Sequence, residues 1–232
     1  MARPWVMAQA WHDVLLMHWP LPAAALEPRL PAGLALDRYE GQAWLGIVVL
    51  RMDGVRLRGL PAVPGLSALA QVNVRTYVVG HGRPGVYFFH LYASSRLATL
   101  GARLVFSLPY QAARVSVRGA DGGVRYRCRR EGRDGPDAAL EAICRPAAAA
   151  FEPAPGSLAA WLTERYRLFT PTPGGDLRRT EIEHEPWSLH ETQIDITDNT
   201  LAALEGLSLP SGPPLAHYAR RMETRFWLPQ QA

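Results

Sequence analysis

Gln71-Val72-Asn73-Val74-Arg75-Thr76-Tyr77-Val78-Val79 runs through Gly80-His81-Gly82-Arg83-Pro84 into Gly85-Val86-Tyr87-Phe88-Phe89-His90-Leu91-Tyr92-Ala93. Both nine-residue runs are rich in β-branched and aromatic side chains, and the Gly- and Pro-bearing link has hairpin length. The stretch predicts two antiparallel strands. Alternation puts Val72, Val74, Thr76 and Val78 on one face of the first, and Gln71, Asn73, Arg75 and Tyr77 on the other. The same period sorts the second into Val86, Phe88, His90 and Tyr92 against Tyr87, Phe89 and Leu91. No face is plainly polar, so both sides of the pair are expected to be covered. A Gln-Asn-Arg-Tyr row inside a closed sheet would line a polar cavity, because a buried guanidinium must find acceptors. For Arg75 two partners fit: the carboxylate of a ligand, held bidentately, or groups of the protein itself, such as Glu164 or carbonyls.

Outward from this pair the pattern stays β-rich. Ala43–Met52 is a continuous apolar run of strand length, and Ala112–Val117 and Val124–Arg130 flank a second hairpin at Gly119–Gly123. Leu177–His184, Glu191–Ile196 and Tyr218–Trp227 supply later strands. Helices are few and short: one capped by Ser94 or Ser95 to about Gly101, one from Ser157 to Tyr166, one from Asp198 to Gly206. No βαβ alternation and no internal repeat is present. The Pro/Gly-rich stretches at Arg133–Asp137, Pro153–Gly156 and Pro171–Gly175 read as loops within one unit. The expected architecture is a single α+β domain over 1–232, mainly antiparallel β, long enough to close into a barrel or cone.

Composition narrows the chemistry. All 25 basic residues are arginine. Without lysine there is no amine to form a Schiff base or grip a P-loop phosphate, and a guanidinium that stays protonated cannot replace it. With a net charge of +4, no basic patch stands out apart from Arg125, Arg127, Arg129, Arg130 and Arg133. These alternate with Tyr126 and Cys128 as on the solvated face of a strand, so no nucleic-acid partner is expected. Cys128 and Cys144 fit a reducing compartment, unbridged. No secretory signal or membrane-length apolar segment is visible, and the expected location is the cytoplasm, away from membranes.

Other site patterns are missing or plain. His12 and His18, like His184 and His190, are six apart, which does not match a zinc helix; no metal and no cofactor are expected. Glu181, Glu183 and Glu185 share one strand face, opposite Ile182 and His184, and read as a solvated acidic row beside Arg178 and Arg179. His184 reads as a structural histidine. Ser107, Ser188 and Ser211 lack the surroundings of a nucleophile elbow. Glu164 and Arg165 end a short helix, where buried charges would tie it to the barrel or sit at the cavity mouth.

An ordered series of short motifs spans nearly the whole chain. It begins with His18-Trp19-Pro20, Leu30-Pro31-Ala32-Gly33-Leu34 and Gly41-Gln42-Ala43-Trp44. It continues through Asn73-Val74-Arg75-Thr76-Tyr77-Val78, Gly85-Val86-Tyr87-Phe88-Phe89, Gly101-Ala102-Arg103 and Leu108-Pro109-Tyr110. Leu162-Thr163-Glu164-Arg165-Tyr166 and His184-Glu185-Pro186-Trp187-Ser188-Leu189 complete it. In this order the chain resembles the YqjF-like family of unknown function, within the acetoacetate decarboxylase-like superfamily. The resemblance implies a cone-like antiparallel β-barrel with a central cavity, and a possible homo-oligomer. In the decarboxylase a proline precedes two lysines, the first of which forms the imine. The matching positions after Pro109 are Tyr110 and Gln111, and a glutamate usual two residues before the Asn of Asn-Val-Arg is here Gln71. The resemblance therefore does not carry Schiff-base decarboxylation to this chain.

The expected function is binding of a small organic acid, such as an oxo acid, in the cavity. Arg75 would be the clamp, with Gln71, Asn73, Gln111 and His90 as further substrate contacts. Two alternatives stand beside it. One is a lysine-independent, lyase-like enzyme of oxo-acid or enol chemistry, with Tyr110 as acid and Arg75 as orienting charge. The other is a structural or interaction protein without turnover. A cavity plugged by Phe88, Phe89 and Tyr92 would favour the last.

Overall fold

A computed structural model describes residues 3–62, 68–95, 106–120, 122–130, 138–172 and 174–232. In chain order its strands begin with β1 (Met7–Leu21), β2 (Leu34–Leu36), β3 (Ala43–Leu57), β4 (Leu69–Gly80) and β5 (Arg83–Ala93). The middle set is β6 (Tyr110–Ala112), β7 (Arg114–Ala120), β8 (Gly123–Arg130), β9 (Ala138–Pro146) and β10 (Arg167–Pro171). The last are β11 (Leu177–His184), β12 (His190–Asn199), β13 (Leu215–Phe226) and β14 (Gln230–Gln231). Among the described residues two short helices, α1 (Ala23–Leu26) and α2 (Leu158–Thr163), join these strands with short 3-10 turns.

The sheet closes on itself. The order β11-β10-β5-β4-β3-β1-β13 returns to its start because β13 also pairs with β11, through Ile182↔Phe226 and His184↔Thr224. Closure leaves no open edge in the ring and encloses an interior. The pairs are antiparallel except β5 with β10 and β5 with β6. Beyond β13 the sheet runs on through β12, β9, β8 and β7. That extension folds back over the outside of the ring: Leu15, Ile47 and Val72 of the barrel share a core with Tyr126, Leu140 and Cys144 of the outer strands. This explains why β4 is covered on both faces. One looks into the barrel and the other into the inter-sheet core.

The β4–β5 hairpin has the predicted extent, turning on His81 (φ 50) and Gly82 (φ 72) between the paired residues Gly80 and Arg83. Two consecutive positive φ values are what a two-residue hairpin of this twist requires. Bulges re-aim side chains, and one opposite Ala8–Ala10 moves the inner face of β3 from Met52 to Val55. Asp13 (φ 50) interrupts the β1–β3 register, so Gln9 and Trp11 precede it on the inner face and Leu16 follows one residue out of phase. Another inserts Phe89 between Phe88 (opposite Arg75) and His90 (opposite Val74).

Several expected elements differ. β1 was hidden by its polar residues, and β9 and β10 gave no clear alternation. Ser157 caps α2 as expected, accepting from Ala160 N at 3.2 Å, but the helix ends at Thr163. Asp198 caps nothing. It continues β12, and a 3-10 turn at Ala202–Glu205 ends at Gly206 with φ 64. The helix expected after Ser95 and the Arg133–Asp137 loop fall outside the described residues. Cys128 and Cys144 are free and buried, and Arg127 and Arg129 stand exposed while Tyr126 and Cys128 are buried. Among the described residues no helix is long and apolar enough to cross a membrane.

Candidate functional site

The barrel encloses a cavity of about 380 Å³. It reaches solvent where the exposed Leu57 and Leu228 line it. Its walls are mostly apolar, with Val48, Leu50 and Met52 on β3, Phe88 and Leu91 on β5, and Phe226 on β13. Polar groups enter from few places. Gln71, Asn73 and Arg75 project from β4, Tyr110 from β6, Thr163 and Arg165 from the end of α2, and His184 from β11. The volume falls in the range that holds a drug-sized ligand, about 300–1,000 Å³.

Arg75 has no carboxylate partner among the described residues. Its Nη2 donates to the Leu162 carbonyl at 3.3 Å, and its Nε is buried without an acceptor. Glu164 is committed elsewhere: Oε1 accepts from Trp187 N at 3.0 Å and Oε2 from the Tyr166 hydroxyl. Opposite Arg75 stands Gly46, where a Cβ would lie 3.2 Å from Arg75 Cγ and 3.2 Å from the Tyr77 hydroxyl. The missing side chain lets Arg75 and Tyr77 lie flat across β3.

A second guanidinium lies beside the first. Arg165, 6 % exposed, donates from Nη1 to Asp37 at 2.6 Å and from Nε to the Trp161 carbonyl at 2.6 Å. Its Nη2 is buried without a partner. The carbons of both guanidinium groups sit over the Tyr77 ring, 5.6 Å from its centroid for Arg75 and 5.0 Å for Arg165. Burial pulls the Arg165 pKa down, and the Asp37 hydrogen bond and charge oppose that pull. Two cations thus face one paired carboxylate, Asp37. Arg165 serves both of the uses its position suggested, anchoring α2 and lining the cavity.

The Tyr110 phenol donates to Gln71 Oε1, and burial pushes its pKa above the ordinary tyrosine range. It is therefore a protonated hydrogen-bond donor at neutral pH. Asn73, 4 % exposed, has an Oδ1 with no partner, and the Trp11 indole N–H is likewise buried and unmatched on the cavity wall.

Two expected contacts lie elsewhere. The Phe89 bulge turns His90 and Tyr92 to the outer face, leaving Leu91 and Ala93 inside. His90 Nε2 there lies 2.5 Å from Glu205 Oε1, and the hydrogen bond from His90 holds that carboxyl below its ordinary range. Gln111 follows Tyr110 on β6, so its side chain takes the opposite face and meets His90 Nδ1 at 3.3 Å. His90 and Gln111 are thus corrected from cavity contacts to a latch on the barrel's outside. Phe89 and Tyr92 pack in the inter-sheet core, so the interior is not plugged.

Sequence reasoning missed Trp11, Thr163 and His184 as lining groups. His184 had a legible signal: it shares a strand face with Ile182, opposite the glutamates, and both line the cavity. It stacks on Tyr166 at 4.5 Å, with Nδ1 2.8 Å from the Glu185 carbonyl. Among the described residues no three His, Cys, Asp or Glu side chains gather as a metal-binding set.

The architecture is shared with proteins of known structure. MppR, an enduracididine biosynthesis enzyme solved in complex with pyruvate, superposes with a TM-score of 0.66 at 12 % identity, covering 100 % of this chain and 91 % of its own. Acetoacetate decarboxylase of Legionella pneumophila gives 0.67 at 12 % identity, over 97 % and 86 %. At these identities the likeness concerns the fold. Sequence similarity is closer to the uncharacterized protein YqjF of Bacillus subtilis (strain 168), 41 % identical over 223 residues, covering 96 % of this chain and 91 % of YqjF. Residues 8–223 also match the DUF2071 family of uncharacterized conserved proteins, a span from β1 to near the end of β13. That span holds most of the barrel and the outer sheet, and the chain belongs to the DUF2071 family and has an acetoacetate decarboxylase-like fold.

Proposed function

We propose that this protein binds a small organic acid of the oxo-acid type in the barrel cavity, with Arg75 receiving the carboxylate. The observation that carries the reading is the pair of guanidinium groups, Arg75 and Arg165, lining a largely apolar enclosure, of which among the described residues only Arg165 has a carboxylate partner, Asp37. An unmatched buried cation is costly, and a ligand carboxylate relieves that cost with charge-assisted hydrogen bonds. Asn73, Gln71 and Tyr110 would orient the remainder of the acid. Pyruvate in the MppR complex gives precedent for an oxo acid in this fold.

Turnover is the second reading. With no lysine in the chain a lysine imine is closed, and catalysis in the cavity would stabilise an enol or enolate through hydrogen bonds. Tyr110 suits donation of such a bond. Its raised pKa suits it poorly to exchanging a proton near neutral pH, which favours binding over turnover.

A thermal-shift screen of the wild type against 2- and 3-oxo acids, hydroxy acids and aromatic carboxylates tests the proposal. A ligand at a hundred times its Kd adds about 2.7 kcal/mol, or roughly 5–10 °C in a chain of this size. A shift that Arg75→Gln removes supports the clamp. A flat screen on well-folded protein overturns it. Should turnover be detected and survive Tyr110→Phe unchanged, the acid role of Tyr110 is excluded.

A further inference from the structure

We infer that the acid bound here is a monocarboxylate with a long apolar body, alkyl or aromatic, rather than a three-carbon acid. The inference rests on the proposed acid site and asks what fills the remainder of the enclosure. The guanidinium pair accounts for one end. Away from it, the lining of β3 is Val48, Leu50, Met52, Val55 and Leu57, without a polar side chain. That wall spans about 30 Å of strand contour at ~3.3 Å per residue.

A three-carbon acid on Arg75 would leave most of the 380 Å³ to water against Val, Leu, Met and Phe side chains. Water ordered in a cavity needs two to four polar partners, which these walls lack. An apolar body removes the mismatch by burying its own surface with that of the wall. The solvent-exposed Leu57 and Leu228 extend the apolar lining to the opening. At the head, Arg165 Nη2 and Arg75 offer donors to the carboxylate. The buried, unpartnered Asn73 Oδ1 lies on the same wall, suited to a hydroxyl next to that carboxylate.

Isothermal titration calorimetry of the full chain with straight-chain 2-oxo acids from pyruvate to 2-oxooctanoate tests the inference, with octanoate and octanamide as reference compounds. Affinity is expected to rise roughly fourfold per buried methylene, on the order of 1,000-fold across the series if all five are buried. Arg75→Gln is expected to weaken every acid of the series. Equal affinity for pyruvate and 2-oxooctanoate, with both lost in Arg75→Gln, overturns the long apolar body and leaves the acid site standing. Octanamide binding as tightly as octanoate overturns the acid site itself. An absence of binding by every acid overturns both.

Discussion

Arg75 and Arg165 carry the same charge over the same tyrosine ring, yet their contacts assign them different duties. Arg165 is locked by Asp37 and the Trp161 carbonyl, whereas Arg75 has one carbonyl bond and no carboxylate. Arg165→Gln therefore strands Asp37 at the end of α2 and is expected to cost about 3 kcal/mol in urea denaturation. Arg75→Gln removes a cation with no ionic partner among the described residues and should stay within about 1 kcal/mol of wild type while losing acid binding. A reversal of that order would mark Arg75 as the structural residue. Arg75 was legible in the sequence because a polar residue in a two-sided strand invites the question of its partner. The answer was not legible: Asp37, 128 positions from Arg165, takes the other guanidinium. Glu164, the nearer candidate, holds Trp187 instead.

Among the elements, the joint between β4, β5 and β10 depends on two glycines. Cβ atoms at Gly80 and Gly85 would fall 2.6 and 2.7 Å from the Phe169 ring, and that of Gly85 also 2.8 Å from the Arg167 carbonyl. The ring fills the space those side chains would occupy, and the backbone of β10 cannot move away without loosening its pairing with β5. Gly85→Ala is expected to cost about 1–3 kcal/mol by overpacking, read from the denaturation midpoint. Gly119→Ala on β7, with nothing within 4 Å, should be neutral or slightly stabilising. Alternation located β4 and β5 well and then failed at a single residue. Phe89 is an extra residue in the ladder, and from there inner and outer positions exchange. Phe89 is as apolar as its neighbours, so nothing in its chemistry marks a bulge. Tyr110 and Gln111 differ: as neighbours in a strand they could not both face one cavity, so strand geometry alone separates them.

Across the whole molecule, buried ionisable groups set a pH window. Burial, then the nearby charges of Arg75 and His217, hold His18 well below its ordinary 6.5, partly offset by the Leu215 backbone, and burial also lowers His217. Below that value the unfolded chain binds protons that the fold refuses, so stability falls as pH drops from about 6.5. Burial raises Tyr92, Tyr110 and Tyr126 above their ordinary 10.0. Above about pH 10 the unfolded chain releases protons that the fold retains, and stability falls again. Burial raises the Cys128 and Cys144 thiols above their ordinary 9.0 in the same way. A plateau between about pH 6.5 and 9, with losses on both sides, is therefore expected from urea midpoints measured across the range. Continued stabilisation above pH 10 would contradict the burial of these phenols. By itself the sequence determined the β-rich class, most strand positions, the polar row of β4 and the exclusion of amine chemistry. These depend on side-chain type and a local period of two. The tertiary structure decided that the ring closes through β11 and β13, which face each residue takes after a bulge, and that Arg165 joins Arg75. Those outcomes depend on pairings between residues far apart in the chain, where one inserted residue reverses the faces and local pattern carries no record of the partner.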